Sequence, residues 1–544
     1  MASRHQPAPP PVPEHHHPRR TSVMTLRRFT SGLVAAGAAL ALVACSGNTT
    51  STTTAAGAAS VGTVATAATS GAVSGDLATR LADNTESHAQ ADDASYDAAT
   101  AVTVTLADGA STANGDGVTI SGNTVTITTK GTYVLSGSLT NGQVVVNSSV
   151  EGKVRLVLNG ATITNPSGAA LVVTAADEAV VVLADGTTNT LTDGTGYDTT
   201  ATDSPNAALF SMADLTIGGS GTLVVHGRTA DGIATKDGLV ILGGTITVDA
   251  VDDGIRGKDY IDVQGGTVSV TAGQDGLKST NETDDSVGWI AVSTGSVTLT
   301  AGDDGIHAEG DLAIAGGTVT VAKSAEGIEG ANIAISGGIV SITASDDGVN
   351  VSGGTSGQTQ GGGGGGGMQD DGSLLGISGG TVIVNSSGDG LDSNGSTEIT
   401  GGLIVVSGPS ANNNGALDSN GGINVTGGTL IAAGSSGMAE SPDATSTQGW
   451  LAATLTQSVA AGKTISIVSG DTVIASYTTL RTVSSVVFTS SAIQKGQTYD
   501  IYVGGSLAGE ASGTYSAGGS ISGASKLSTV TAGVATRGGG MGRP

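Results

Sequence analysis

Apolar and polar residues alternate in short runs along most of the chain, and each run closes on Gly, Asn or Asp. This pattern predicts strands joined by sharp turns. From about residue 217 the alternation becomes a repeating unit. An aliphatic residue is followed by Gly-Gly-Thr or a near variant, an alternating strand, a few small or polar residues, then Asp-Gly and another aliphatic residue. Gly243-Gly244-Thr245-Ile246-Thr247-Val248 leads to Asp253-Gly254-Ile255, and Gly265-Gly266-Thr267-Val268-Ser269-Val270 leads to Asp275-Gly276-Leu277. Turn glycines are predicted at Gly232, Gly254, Gly276, Gly305, Gly327, Gly348, Gly390, Gly415 and Gly437. The 22-residue spacing of the first three sets the period, and longer steps mark loops inserted in a repeat.

A period of 22 residues is too short for helical hairpins and suits one turn of a β-solenoid with two or three short strands. Leucine-rich repeats share this length, but their Leu and Asn ladder is absent. The predicted fold is all-β: a right-handed parallel β-helix with a small C-terminal antiparallel β cap. Val248, Ile255, Val263 and Val270 are expected to point inward and stack on their equivalents one rung away. The expected organisation is a signal peptide over 1–45, an Ala/Ser/Thr-rich linker over 46–100, N-terminal coils over 101–215, regular repeats over 216–440, a C-terminal β unit over 441–512 and a disordered Gly/Ser-rich tail over 513–544. Loops are expected around 281–288 and 353–373, the second holding seven consecutive glycines.

Composition narrows the class. Aromatics are 2% and charged residues 12% of 544, the formal charge is −26, and 89 residues are glycine. That balance disfavours an average globular enzyme and excludes nucleic acid as a partner, while it favours a cation. Arg27 and Arg28 precede an apolar stretch from Leu33 to Val43, which ends in Leu42-Val43-Ala44-Cys45. The lone Cys45 resembles the lipobox of bacterial lipoproteins. An exported chain, lipidated at Cys45 and facing outward from the bacterial cell membrane, is the expectation, and a monomer is expected.

The candidate chemistry lies in columns. The position before the turn glycine holds Asp231, Asp253, Asp275, Asp304, Glu326, Asp347 and Asp389. Carboxylates about 4.8 Å apart repel by about 0.9 kcal/mol per pair in water, and more at a low-dielectric surface. Calcium bridging neighbouring rungs would offset that. On the plain reading Asp-Gly is only a turn, with Asp bonding its own backbone and Gly taking a positive φ. In the doublets Asp252-Asp253, Asp303-Asp304 and Asp346-Asp347 one carboxylate is surplus to the turn. The metal candidates are therefore Asp231, Asp252, Asp253, Asp275, Asp303, Asp304, Asp346 and Asp347. A second, outward column begins Ala234, Arg256, Lys278, His307, Glu329, Asn350. Arg256, Lys258 and Lys278 either neutralise the aspartates or bind the acidic groups or hydroxyls of a uronate polymer, with Tyr260 and Trp289 stacking on sugar rings.

Several ordered segments carry a family resemblance: Gly122-Asn123-Thr124-Val125-Thr126-Ile127, Tyr133-Val134-Leu135-Ser136-Gly137, Leu156-Val157-Leu158-Asn159-Gly160, Asn189-Thr190-Leu191-Thr192-Asp193-Gly194 and Asp253-Gly254-Ile255-Arg256-Gly257-Lys258-Asp259. Over roughly residues 100–505 the chain resembles a family of bacterial carbohydrate-binding β-helix proteins related in fold to pectate lyases. The resemblance implies a secreted helix with three strands per coil and bound calcium, attaching to cellulose or polygalacturonate-like polysaccharide without cleaving it. It carries the calcium sites to Asp231, Asp253 and Asp275. The long glycine loop and the scarcity of aromatics depart from the family and disfavour tight binding to crystalline cellulose. Two other classes stand beside this reading. One is a calcium-dependent polysaccharide lyase, with Arg256, Lys258 or Lys278 as the base. The other is a structural adhesin.

Overall fold

The computed structural model describes residues 71–201, 203–353, 369–509 and 514–534. The signal peptide, Cys45 and the seven-glycine run lie outside them. Among the described residues the chain is all-β, with 44 strands beside one short helix, α1 (Gly75–Ala82). Each regular repeat supplies three strands, for example Asp231–Thr235, Gly238–Ile241 and Thr245–Ala250, then Ile255–Gly257, Tyr260–Val263 and Thr267–Ala272. Every strand pairs in parallel with its counterpart one repeat later: Ala234 with Arg256, Leu239 with Ile261, Ile246 with Val268. The sequence period is thus one rung of a parallel stack. Two of the three ladders belong to a 26-stranded sheet, and the third, made of the short strands after the Asp-Gly turns, is a 13-stranded sheet.

Strict alternation builds the core. Along Thr267–Ala272 residues are exposed and buried in turn, and Val248, Ile255, Val263 and Val270 are all buried. β-branched side chains suit this geometry, because they fill a pleated surface and meet an equivalent side chain on the next rung. Glycines at the two corners serve different ends. The second glycine of each Gly-Gly-Thr corner is left-handed, with φ of +92° at Gly244, +82° at Gly266 and +75° at Gly338. The glycine after the aspartate, expected to need that conformation, does not adopt it. Gly254 is fixed by space instead: a Cβ there would collide with Val270 and stand 2.7 Å from the Gly276 carbonyl oxygen.

At the C-terminal end the last parallel strand, Thr429–Gly434, pairs antiparallel with Val483–Thr489, which also pairs with Trp450–Val459. The final edge is thereby hydrogen-bonded within the chain, which removes a template for aggregation. A separate five-stranded antiparallel sheet follows. Two of its strands, Tyr515–Ala517 and Ser525–Thr531, come from the stretch expected to be a disordered tail. Val530, on the second of them, is buried with Ile465, Tyr477 and Ile501, and this contact orders the segment despite its Gly/Ser content.

The expected linker also differs. From Gly71 to Asp93 the chain lies as a strap across successive rungs of the large sheet. The Gly71 amide donates to Ser336 O at 2.9 Å, Leu77 of α1 packs against Ala334 and Leu374, and Arg80 donates to Asn332 Oδ1 at 2.9 Å. Asn84 reaches Asp311 Oδ2 at 3.1 Å, His88 meets the Tyr260 hydroxyl, and Asp93 pairs with Lys153. Small outward residues leave room for it, since a Cβ at Gly376 would collide with Leu77.

Candidate functional site

The predicted site residues stand on one ladder of short strands: β1 (Asp231–Thr235), β2 (Ile255–Gly257), β3 (Leu277–Ser279), β4 (Ile306–His307), β5 (Ile328–Gly330), β6 (Val349–Val351), β7 (Leu391–Ser393) and β8 (Leu417–Ser419). At four of the corners entering these strands, those of Asp253, Asp275, Asp347 and Asp389, the aspartate performs a structural task. The Asp275 amide donates to Asp253 Oδ1 at 3.2 Å, Asp304 N to Asp275 Oδ1 at 2.8 Å, Asp389 N to Asp347 Oδ1 at 2.5 Å, and Gly415 N to Asp389 Oδ1. Each carboxylate therefore satisfies a corner amide of the next rung, not its own backbone as a simple turn would have it. An unpaired buried amide there would cost about 1–3 kcal/mol, which is reason enough for the repeat. One register reading is corrected here. Gly390 N donates to Gly415 O, as Gly232 N does to Asp253 O, so Gly415 holds the aspartate's place and Ala416 that of the turn glycine.

Strand register aligns the outer column as Ala234, Arg256, Lys278, His307, Glu329, Asn350, Asp392 and Asp418. Its charge runs from basic to acidic along the stack. On the basic rungs Arg256 binds Asp231 at 2.8 Å and approaches Asp253 at 3.8 Å, while Lys278 binds Asp275 at 2.6 Å and approaches Asp253 at 3.9 Å. Burial raises the carboxyl of Asp231 to about 7 even against the pull of Arg256. His307 bridges Asp304 at 2.9 Å and Glu329 at 3.0 Å. Burial opposes its charge, but those hydrogen bonds outweigh it and push the imidazole up to about 10.

The acidic rungs have no such compensation. Among the described residues no Lys, Arg or His pairs with Glu326, Asp347, Asp389, Asp392, Asp418 or Glu440. Burial first, then neighbouring carboxylates, pushes Asp392 up to about 8 and Asp389 to about 7. Glu440 rises to about 7 through burial and Asp418. Glu326 also rises to about 7, although the Asn350 amide donates to it at 2.8 Å.

Three groups bring ligand atoms within 4.8 Å of one another among the described residues: Asp275, Asp304 and His307; Asp304, Glu326 and Glu329; Asp347, Asp389 and Asp392. The first two share the His307 cation. Of the predicted metal residues, Asp231, Asp252, Asp253, Asp303 and Asp346 belong to none of these groups. Asp231 and Asp253 are taken up by Arg256, and Asp303 and Asp346 are exposed at the rim. The third group fits a hard divalent cation best, because it offers three carboxylates without a protein cation. Asp392, Asp418 and Glu440 escape the sequence reading. Asp392 and Asp418 lie one residue past the aliphatic residue of their turns, the phase that singles out Arg256 and Lys278, so extending that column two rungs finds them.

The expected aromatic platform does not form. Tyr260 and Trp289 are both buried, stacked on each other with centroids 4.4 Å apart and planes within 2°. They lie on the large sheet beneath the strap, where His88 occupies the Tyr260 hydroxyl. They are register partners on neighbouring rungs, so a flat stack is the natural way for them to pack, and neither ring faces the basic column. Lys258 is exposed, and among the described residues its side chain pairs with no carboxylate.

Comparison with known proteins gives three likenesses. A family profile described as a carbohydrate-binding domain-containing protein matches residues 121–372. A curated protein of that description from Acetivibrio thermocellus is 34% identical over 139 residues, which is 25% of this chain and 49% of that protein. The chain thus spans about half the length of the curated relative it matches. A solved polysaccharide lyase-like protein from C. thermocellum, a gadolinium derivative, is similar at 31% identity, over 46% of this chain and 96% of that one, with a TM-score of 0.39.

Proposed function

We propose that this chain is a non-catalytic carbohydrate-binding protein, built as a right-handed parallel β-helix and carrying calcium at its acidic rungs. The observation that carries the reading is the likeness of residues 121–372, which contain β1 to β6, to a carbohydrate-binding profile. Right-handedness follows from the crossover rule, which parallel strands in one sheet obey in about 98% of cases. Asp347, Asp389 and Asp392 would hold the calcium, with water completing its oxygen shell. Bound there, the ion supplies charge neutralisation and a cross-link between rungs. The signal at Cys45 supports display of the protein on the outer side of a bacterial membrane through a lipid anchor.

Binding is favoured over cleavage. Of the three candidate bases, Arg256 and Lys278 are held by buried carboxylates, and Lys258 alone is exposed and pairs with no carboxylate among the described residues. Burial lowers the Lys278 ammonium, yet Asp275 and Asp253 outweigh that and raise it, so it is a poor proton acceptor at neutral pH. The test incubates the full chain with polygalacturonate and with neutral plant polysaccharides, with and without a chelator. Retention without unsaturated product is expected. Unsaturated uronate appearing in solution would establish the lyase, and calcium-dependent melting without any retention would establish a structural adhesin.

A further inference from the structure

Upstream of β1 the same outer face continues, but its chemistry changes. Val145, Val172 and Phe210 occupy the outer column, and Ala207 stands where the next rung has Asp231. Carboxylates give way to small residues, and a groove of about 420 Å³ opens there. This is within the roughly 300–1,000 Å³ of small-molecule sites. Asn141, Gln143, Ser167, Tyr197, Asp198 and Pro205 are among the residues that line it.

The polar groups in this groove are of two kinds. Tyr197 is fixed: its hydroxyl donates to Asp193 Oδ2 at 2.9 Å, and buried Asp193 also accepts the Arg228 amide at 2.5 Å. Asp198 is engaged by the Thr200 amide at 2.9 Å and hydroxyl at 2.6 Å. The side chains of Asn141, Gln143 and Ser167, in contrast, hydrogen-bond to no protein group among the described residues. Carboxamides and hydroxyls both donate and accept, which matches adjacent sugar hydroxyls. A held tyrosine ring offers an apolar face to a pyranose. Among the described residues no Lys, Arg or His lines the groove, and the one charged residue there, Asp198, is acidic. An anionic sugar would meet repulsion there with nothing to offset it.

We infer that this groove is a subsite for a neutral sugar unit, separate from the carboxylate ladder. The inference rests on the carbohydrate-binding reading and assigns it a place and a ligand class: neutral hexosyl or pentosyl units, not uronates. The test titrates the full chain by calorimetry with soluble neutral oligosaccharides of glucan, mannan, xylan and arabinan, and with oligogalacturonate. At least one neutral probe should bind. Gln143→Ala should weaken it by about tenfold, the equivalent of one good hydrogen bond. Ser167→Trp, at an exposed position, should abolish it by filling the groove while leaving the melting temperature unchanged. Binding of oligogalacturonate alone would overturn the groove and leave carbohydrate binding standing. Binding of no probe would overturn both. Neutral binding that survives both substitutions would overturn the groove alone.

Discussion

The aspartates at the rung corners hold two roles that follow from where each carboxylate oxygen points. Oδ1 of Asp275 accepts the Asp304 amide and Oδ2 accepts Lys278, with the side chain nearly buried. Asp275→Ala leaves an amide unpaired and a cation uncompensated, and should destabilise the chain by about 3 kcal/mol in denaturant unfolding. Asp275→Asn, which keeps an acceptor for the amide, should cost less. His307 adds a pH signature. Its folded value of about 10 lies above the ordinary 6.5, so its contribution is complete below about pH 6.5 and is lost as pH rises through about 10. The repeat of these aspartates is legible in the sequence; their function is not. A turn motif specifies a local bond, whereas the bond formed runs to a residue 22 to 42 positions away.

At the scale of elements, strands are easy to read and the strap is not. Strand register repeats in the chain, so one rung predicts the next, and Val248, Ile255, Val263 and Val270 are buried as their alternation requires. The strap from Gly71 to Asp93 shows little periodicity, and its partners Asn332, Asp311, Tyr260 and Lys153 are scattered along the sequence. The same blind spot hides Tyr260 and Trp289, whose outward phase is read correctly but whose cover is the strap. Leu77 is fully buried against Ala334 and Leu374. Leu77→Ala should therefore cost about 2–5 kcal/mol locally. Hydrogen exchange should show faster exchange of amides in α1 and around Asn332 to Ile335, with rungs near the C-terminal cap unaffected, as expected when each repeat contacts only its neighbours.

For the whole molecule, charge is ordered along the stack. Glu326, Asp389, Asp392 and Glu440 hold their protons up to about 7 or 8, well above unfolded carboxyls. With folded values raised, their contribution to stability is complete below about pH 4 and is lost as pH climbs through about 7 to 8. Chelated protein should accordingly melt at falling temperature between about pH 5 and pH 8. Calcium should flatten that slope and release protons as it binds, since the ion and the protons compete for the same oxygens. Asp389→Asn with Asp392→Asn should flatten the chelated curve and abolish the response to calcium, while a steep slope persisting in that double variant would place the proton uptake elsewhere.

The strap also sets a mechanical path. Tension entering at Gly71 reaches the stack at Ser336 and Ser378, on the flank of the rungs and not through the first of them. Leu77, Arg80, Asn84, His88 and Asp93 then bear it in series. Such a fastening yields contact by contact, like a seam, and the rungs it crosses keep their own hydrogen bonds while it gives.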